Sequence, residues 1–370
     1  MPFFMTQGFG AFNDNVFKNA LAALLVFESS KMAGLNTDQL VNFSAMVFIL
    51  PFFLFSALFG QFADKYEKSM QIRRVKLLEV VIMLLATLGF WLDNVPLLMF
   101  VLFLLGLQST IFGPIKYGIL PRILKREELV GGNALIEMGT FVAILGGTIA
   151  GPQLAGIEAS WPYWASAACL AVAVTGYLFS LRIPPSPAVA PDLEISWNIF
   201  AETVRNMKFI NQNRTVLNSV LGISWFWFFG AIFLVQIPSY TQNVLGGDKH
   251  LMSALLALFI IGISTGSLLC ERLSGKQVEI GLVPFGAIGL TLFGLDLYFA
   301  SPEAPVAGIT VMEFLADGNN WRIVIDLLLI GTFGGFYIVP LYALVQSRSE
   351  QDHLSRVIAG LNILNSLFMV

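Results

Sequence analysis

Apolar stretches of about 20 residues follow one another along almost the whole chain, and no other feature limits the fold so sharply. Each is long enough to cross about 30 Å of hydrocarbon as a helix rising about 1.5 Å per residue. Backbone groups inside lipid need partners of their own, so a spanning structure is either helical or a closed barrel. A barrel needs segments of about ten residues that alternate polar and apolar. Runs such as 97–112 do not alternate. Composition agrees: 56% of the 370 residues are hydrophobic and 12% charged, about half the charged share of a soluble domain. The chain reads as an all-α polytopic membrane protein.

The hydropathy pattern predicts ten complete spans near 3–27, 40–62, 75–92, 96–118, 130–154, 161–181, 215–240, 251–273, 280–300 and 322–346, with an eleventh, 355–370, cut short. One sizeable polar interruption, 182–214, opens with Pro184, Pro185, Pro187 and Pro191. It divides an N-terminal six-helix half (1–181) from an incomplete C-terminal half (215–370). Within it Trp197, Phe200, Val204 and Met207 recur at steps of three and four behind Ser196, a residue type suited to an N-cap. This predicts an amphipathic helix, lying either on the membrane surface or against protein.

Placing the N-terminus in the cytoplasm puts sixteen of the 21 basic residues in cytoplasmic loops, Lys76 and Arg356 among them, and three (Lys31, Lys249 and Arg322) on the far side. The sixteen also include Lys276. A net charge of −3 gives no footprint for nucleic acid. Cys169 and Cys270 lie within apolar runs and read as free buried thiols. The first span starts almost at Met1 and carries Asn13, Asp14 and Lys18, so it is not expected to be a cleavable signal.

Three motifs carry the organisation further. Gly60-Gln61-Phe62-Ala63-Asp64-Lys65 follows the second span, with Lys68, Arg73 and Arg74 behind it. After the eighth span, Thr265-Gly266-Ser267-Leu268-Leu269-Cys270-Glu271-Arg272 repeats the pattern of small residues and then an acid–base pair. The fifth span contains Gly147-Thr148-Ile149-Ala150-Gly151-Pro152 and ends near Gly156, a spacing that lets helices approach closely. The first motif resembles the Gly-x-x-x-Asp-(Arg/Lys) signature of the major facilitator superfamily, and the duplication resembles its two pseudo-repeated six-helix halves. The resemblance implies that Gly60, Asp64, Lys65, Glu271 and Arg272 form a cytoplasmic gate.

Gly10-Ala11-Phe12-Asn13-Asp14-Asn15, Gly113-Pro114-Ile115-Lys116-Tyr117-Gly118 and Gly334-Gly335-Phe336-Tyr337-Ile338-Val339-Pro340-Leu341 narrow the resemblance to the bacterial lysophospholipid transporter family. It implies a multi-pass protein of the bacterial inner membrane that moves lysophospholipid, such as lysophosphatidylethanolamine, inward by alternating access. It also implies a fused or associated acyltransferase and acyl-carrier-protein synthetase as partners. The chain departs from that family in the seventh span, where an arginine is expected and Gln236 is the polar residue offered.

Ionisable residues within spans are expensive and mark functional positions. Asp14 lies about 16 Å along the first span, near mid-membrane, and Lys18 at i+4 has the spacing of an ion pair on one helix face. Asn15 and Asn19 flank them. Either the four grip a charged headgroup or they form a neutral seal between helices. Lys116 and Glu137 lie at similar depths in consecutive spans and are placed for a second ion pair, structural or mobile during transport. Asp296 and an Arg322–Asp326 pair read as anchors at outer helix ends, and the aromatic run 225–229 faces lipid, packing or acyl chains.

No Gly-x-x-x-x-Gly-Lys-(Ser/Thr) loop, metal-ligand spacing or His-x4-Asp pair occurs, so a transporter without cofactor is expected rather than an enzyme. The substrate-binding set comprises Asp14, Asn15, Lys18, Lys116, Glu137 and Gln236. Two other readings stay open. One is a small-solute or drug transporter of the same fold with Asp14 or Glu137 carrying protons. The other is a membrane anchor that delivers substrate to a fused acyltransferase.

Overall fold

The computed structural model describes residues 1–28, 37–155, 161–275, 277–278, 280–302, 304–306 and 308–369. Lys31, Gly156, Lys276 and the terminal Val370 lie outside these. Among the described residues eleven long helices correspond to the eleven expected spans: α1 (Pro2–Glu28), α2 (Thr37–Lys65), α3 (Lys68–Trp91), α4 (Val95–Gly118), α5 (Leu129–Ala155), α6 (Trp161–Ser180), α7 (Arg214–Tyr240), α8 (Lys249–Leu273), α9 (Leu282–Ala300), α10 (Trp321–Arg348) and α11 (Leu354–Met369). A linker helix, Ile199–Gln212, precedes α7. No β-strand occurs among the described residues. Eight of the long helices qualify as membrane spans on length and apolarity alone. The protein is a polytopic helical membrane protein.

Local chemistry sets the boundaries. Asn94 caps α4 by accepting from the Leu97 amide at 2.9 Å. Glu67 caps α3, accepting from the Ser69 amide at 3.0 Å and the Met70 amide at 2.7 Å. That cap starts α3 at Lys68, seven residues before the expected position, because a charge-rich first turn hid the start from hydropathy. Lys76, read as a loop cation, is thereby inside α3 and fully buried. The linker helix is capped by Asn198, whose side chain accepts from the Ala201 amide at 3.0 Å, and not by Ser196.

In the first group of helices α1 lies along α5, α2 along α4, and α3 against α4 and α6; in the second, α7 packs on α11, and α8 and α9 on α10. Across the groups α2 meets α11 and α5 meets α8. Close approach is purchased with glycine. A Cβ on Gly147 would stand 2.5 Å from the Asn15 Cβ, and one on Gly151 would stand 2.8 Å from the Ala20 nitrogen. The glycine–proline run of the fifth span is therefore what seats α1 on α5.

Candidate gate and central site

The gate end is built on Asp64, which is fully buried at the foot of α2. Its carboxylate accepts from the Ser355 amide at 3.2 Å and from Arg356 Nε at 3.1 Å, both on the first turn of α11. Lys68 Nζ lies 3.9 Å from the same carboxylate and donates to Ser355 Oγ at 3.0 Å. The placement is favourable for two reasons: the acid meets an arginine, and it faces the amides that open a helix. Gly60, one turn earlier, brings α2 against α11, since a Cβ there would stand 2.7 Å from that of Ala359. In the repeated motif the Glu271 carboxyl lies where a Cβ on Gly131, at the start of α5, would stand 2.6 Å away. Each acidic motif thus meets the first turn of a helix in the opposite group.

The sequence places Lys65 beside Asp64 in the gate motif and Arg356 among the loop cations. Lys65 instead extends over the Tyr66 ring at 5.9 Å. Arg356 is 7% exposed and is the arginine that contacts Asp64. Chain distance hides the Asp64–Arg356 contact from the sequence, since 292 residues separate the two.

One layer deeper, the Asn133 and Gln346 side chains exchange hydrogen bonds of 2.6 and 3.1 Å, and Gln346 also donates to the Tyr117 carbonyl at 3.2 Å. The Tyr117 ring stacks on Tyr342 at 4.2 Å. Tyr342 accepts from Trp227 Nε1 at 3.0 Å, and Trp227 stacks on Phe141 at 5.7 Å. Asp64–Arg356, Asn133–Gln346 and Tyr117–Tyr342 each join a helix of 1–181 to one of 215–370. Within the aromatic run, Phe226 is buried while Trp225 and Phe228 are exposed.

The expected Lys116–Glu137 ion pair is absent among the described contacts. Glu137 Oε1 accepts from the Tyr117 hydroxyl at 2.6 Å, its other oxygen is buried without a donor, and Lys116 Nζ donates to Thr140 Oγ1 at 2.9 Å. Tyr117 intervenes because it follows Lys116 by one residue and turns inward. Thr140 also donates to Gln7 Oε1 at 3.2 Å, tying α5 to α1.

At mid-depth the α1 residues are reassigned as well. Ser109 Oγ donates to Asp14 Oδ2 at 2.6 Å, while Oδ1 is buried with no donor. Lys18 does not pair with Asp14; its ammonium lies 5.4 Å from the centre of the Phe48 ring on α2. The Asn15 and Asn19 amides donate to the carbonyls of Ala11 and Asn15, each at 2.8 Å, and so are spent within their own helix. Gln236 lies near the far end of α7 and is exposed, away from this layer. The Arg322–Asp326 pair is also replaced: Arg322 makes a two-pronged contact with Asp296, one prong at 2.9 Å, and Asp326 is buried with Oδ2 lacking a donor.

Behind Asp14 stands a buried cluster that sequence reasoning missed. Glu79, with no exposed surface, accepts from Asn13 Nδ2 at 3.0 Å, from Gln108 Nε2 at 3.3 Å and from the ammonium of Lys76. Ser109 Oγ also lies 3.2 Å from Gln108 Oε1, so its one proton is shared between Asp14 and the cluster. Lys76 threads between Gly10 of α1 and Gly176 of α6, where a Cβ would stand 2.5 and 3.1 Å from its end. The available signal was the acid three residues after Lys76 in an otherwise apolar stretch. Cys169 and Cys270 are free and buried, as expected. Among the described residues no group of His, Cys, Asp or Glu is placed to hold a metal ion.

The sequence profile of the Major Facilitator Superfamily matches residues 3–370. The chain is 27% identical over 351 residues to the lysophospholipid transporter LplT of Photorhabdus laumondii, covering 94% of this chain and 79% of that protein. It is 29% identical over 355 residues to the lysophospholipid transporter LplT of an Enterobacter species, covering 93% and 79%. Among solved structures, the human organic anion transporter MFSD10 superposes with a TM-score of 0.68 at 11% identity, covering 100% of this chain and 91% of that one. The proton:xylose symporter XylE gives 0.68 at 12%, covering 100% and 86%. At such identities the structures speak for the fold alone.

Proposed function

The chain belongs to the major facilitator superfamily, and from that premise we propose that it carries lysophospholipid across the bacterial inner membrane by alternating access. It is a membrane transporter and not an enzyme. The observation that carries the substrate class is the similarity, over nearly the whole chain, to relatives named as lysophospholipid transporters. The mechanism is supported by the candidate gate: two groups of helices, 1–181 and 215–370, are joined by Asp64 with Arg356, and Glu271 packs close to Gly131. Breaking those contacts lets the groups pivot, so the path opens to one side at a time.

In this reading the end carrying the basic loops is cytoplasmic, the N-terminus included. Asp14, with one carboxylate oxygen left without a donor, and the half-buried Lys18 present opposite charges at mid-depth, where a zwitterionic headgroup would sit. Lys116 and Glu137 line the path below, Asn15 seats α1, and Gln236 marks the outer mouth. Lys65 and Arg272 supply surface charge beside the gate. The delivered lysolipid would pass to an acyltransferase that is fused to the chain or associated with it.

Counterflow of labelled lysophosphatidylethanolamine into proteoliposomes tests the proposal. Uptake above protein-free vesicles, lost in Asp14→Ala, is the expected result. Asp14→Ala transport at the native rate would remove Asp14 from the site. No lysolipid counterflow, with solute uptake that instead follows a pH gradient, would favour the proton-coupled reading.

A further inference from the structure

The linker helix Ile199–Gln212 is oriented the opposite way from an amphipathic helix on a water-facing protein. Its polar residues Glu202 and Asn206 are fully buried against the protein together with Ile210, while Phe200 is 84% exposed, Val204 55% and Trp197, just before the helix, 72%. Met207, the last member of the apolar stripe, is half-buried and touches Gly360 of α11. Both polar atoms of the Asn206 side chain lack partners. Water would reward the reverse arrangement.

Position and charge determine what covers the exposed face. One residue, Asn213, separates this helix from α7, and the helix packs on α2, α7 and α11 at the gate end. The face therefore lies at the level where those spans leave the hydrocarbon. As for charge, Arg205, Lys208 and Arg214 are exposed on and just after this helix, and the one acid in 197–214, Glu202, is buried and paired with Arg205 at 2.8 Å. Aromatic residues followed by exposed cations, at the membrane surface, match an interface carrying anionic headgroups.

The inner side of the same helix reaches the gate. Phe209 is stacked on His353 with ring centres 4.3 Å apart, and the Arg356 guanidinium lies 5.0 Å from the Phe209 ring. Arg356 is the residue that grips Asp64. His353 is held in turn by Glu350 at 3.0 Å.

We propose that the linker helix docks on the anionic lipid surface at the gate end and that, through Phe209 as a positioning residue, this contact steadies Arg356 in its latch with Asp64. The gate then senses the charge of the surrounding bilayer. The coupling rests on the gate reading above; the lipid contact stands without it.

The test uses the full chain in nanodiscs of phosphatidylcholine, with and without phosphatidylglycerol, in the absence of substrate. A bimane label on Phe200→Cys reports contact through quenching by brominated lipid, the native thiols being buried. Quenching is expected in both lipids and stronger with phosphatidylglycerol. Arg205→Gln with Lys208→Gln should remove roughly half or more of that increase. Spin labels on Tyr66 and Gln351, both exposed at the gate end, read the gate distance. The short-distance population should grow with phosphatidylglycerol, Phe209→Ala should abolish that growth, and Phe209→Tyr should restore it. An unquenched label, or quenching indifferent to lipid charge, overturns the docking. A gate distance indifferent to lipid charge in the native chain overturns the coupling. Neither readout involves lysolipid, so a failure here and a failure of counterflow are told apart.

Discussion

Glu79 and Lys76 show what a buried charge demands of its neighbours. Both are almost without exposed surface, and the carboxylate collects three donors from three helices. Removing one partner strands the other in low dielectric, at a cost of about 3–5 kcal/mol, whereas replacing both with apolar residues of similar size is far milder. Glu79→Leu should therefore lower thermal stability in detergent much more than Glu79→Leu combined with Lys76→Met, a non-additivity that a double-mutant cycle measures. Outside the membrane, Glu67 behaves differently. Burial pushes its carboxyl up, but bonds from the Ser69 hydroxyl, the Ser186 amide and the amides of Met70 and Ser69 outweigh this and hold it below the usual range. A lowered folded pKa means the contribution is complete above the ordinary value of about 4.3 and is lost as pH falls through the lower folded one. Limited proteolysis of segment 182–198 should be flat from about pH 7 to about pH 5 and accelerate below about pH 4. Glu67→Gln should cleave faster throughout that range.

Among the elements, α8 and α10 depend most on missing side chains. A Cβ on Gly266 would run into the Thr332 carbonyl, and one on Gly331 into that of Phe259, so both contacts are with backbone that cannot rotate away. Gly266→Leu should push the two helices apart and cost about 1–3 kcal/mol or more, read as a lower melting temperature. Gly281 meets nothing within 4 Å, so Gly281→Ala should leave the melting temperature nearly unchanged. The Gly147–Gly151 spacing on α5 was legible as a close-packing signal, because residues four apart share a helix face, whereas Gly266 was read only as part of the acidic motif and Gly331 was not singled out. Which helix they faced was not legible, since that depends on how eleven rods pack. The same holds for the linker helix. Its stripe of Trp197, Phe200 and Val204 was visible, yet only the packed structure shows that Glu202 and Asn206 turn inward and the apolar side turns out.

For the molecule as a whole, the proposed gate rests on contacts between the two groups of helices. Asp64–Arg356, Asn133–Gln346 and the Tyr117–Tyr342 stack each join the two groups of helices and none stabilises either group alone. Interactions present in only one state shift the balance between states by their full differential energy. Arg356→Gln should raise the population open at the gate end by at least about tenfold, since each 1.4 kcal/mol is a factor of ten and a broken buried pair exceeds that. The Tyr66–Gln351 distance distribution measures it, and a distribution identical to the native one would show that the latch does not hold the gate. Asp64→Asn, which keeps an acceptor and removes the charge, should shift it less.

The sequence by itself determined the solvent, the number and rough ends of the helices, and the duplicated acidic motif, because each depends on residues adjacent along the chain. Hydropathy, helical period and capping are local physics. The tertiary structure alone decided who partners whom: Arg356 for Asp64, Ser109 and not Lys18 for Asp14, Tyr117 and not Lys116 for Glu137. A charge in lipid takes the nearest donor that packing supplies, and packing brings together residues up to 292 positions apart.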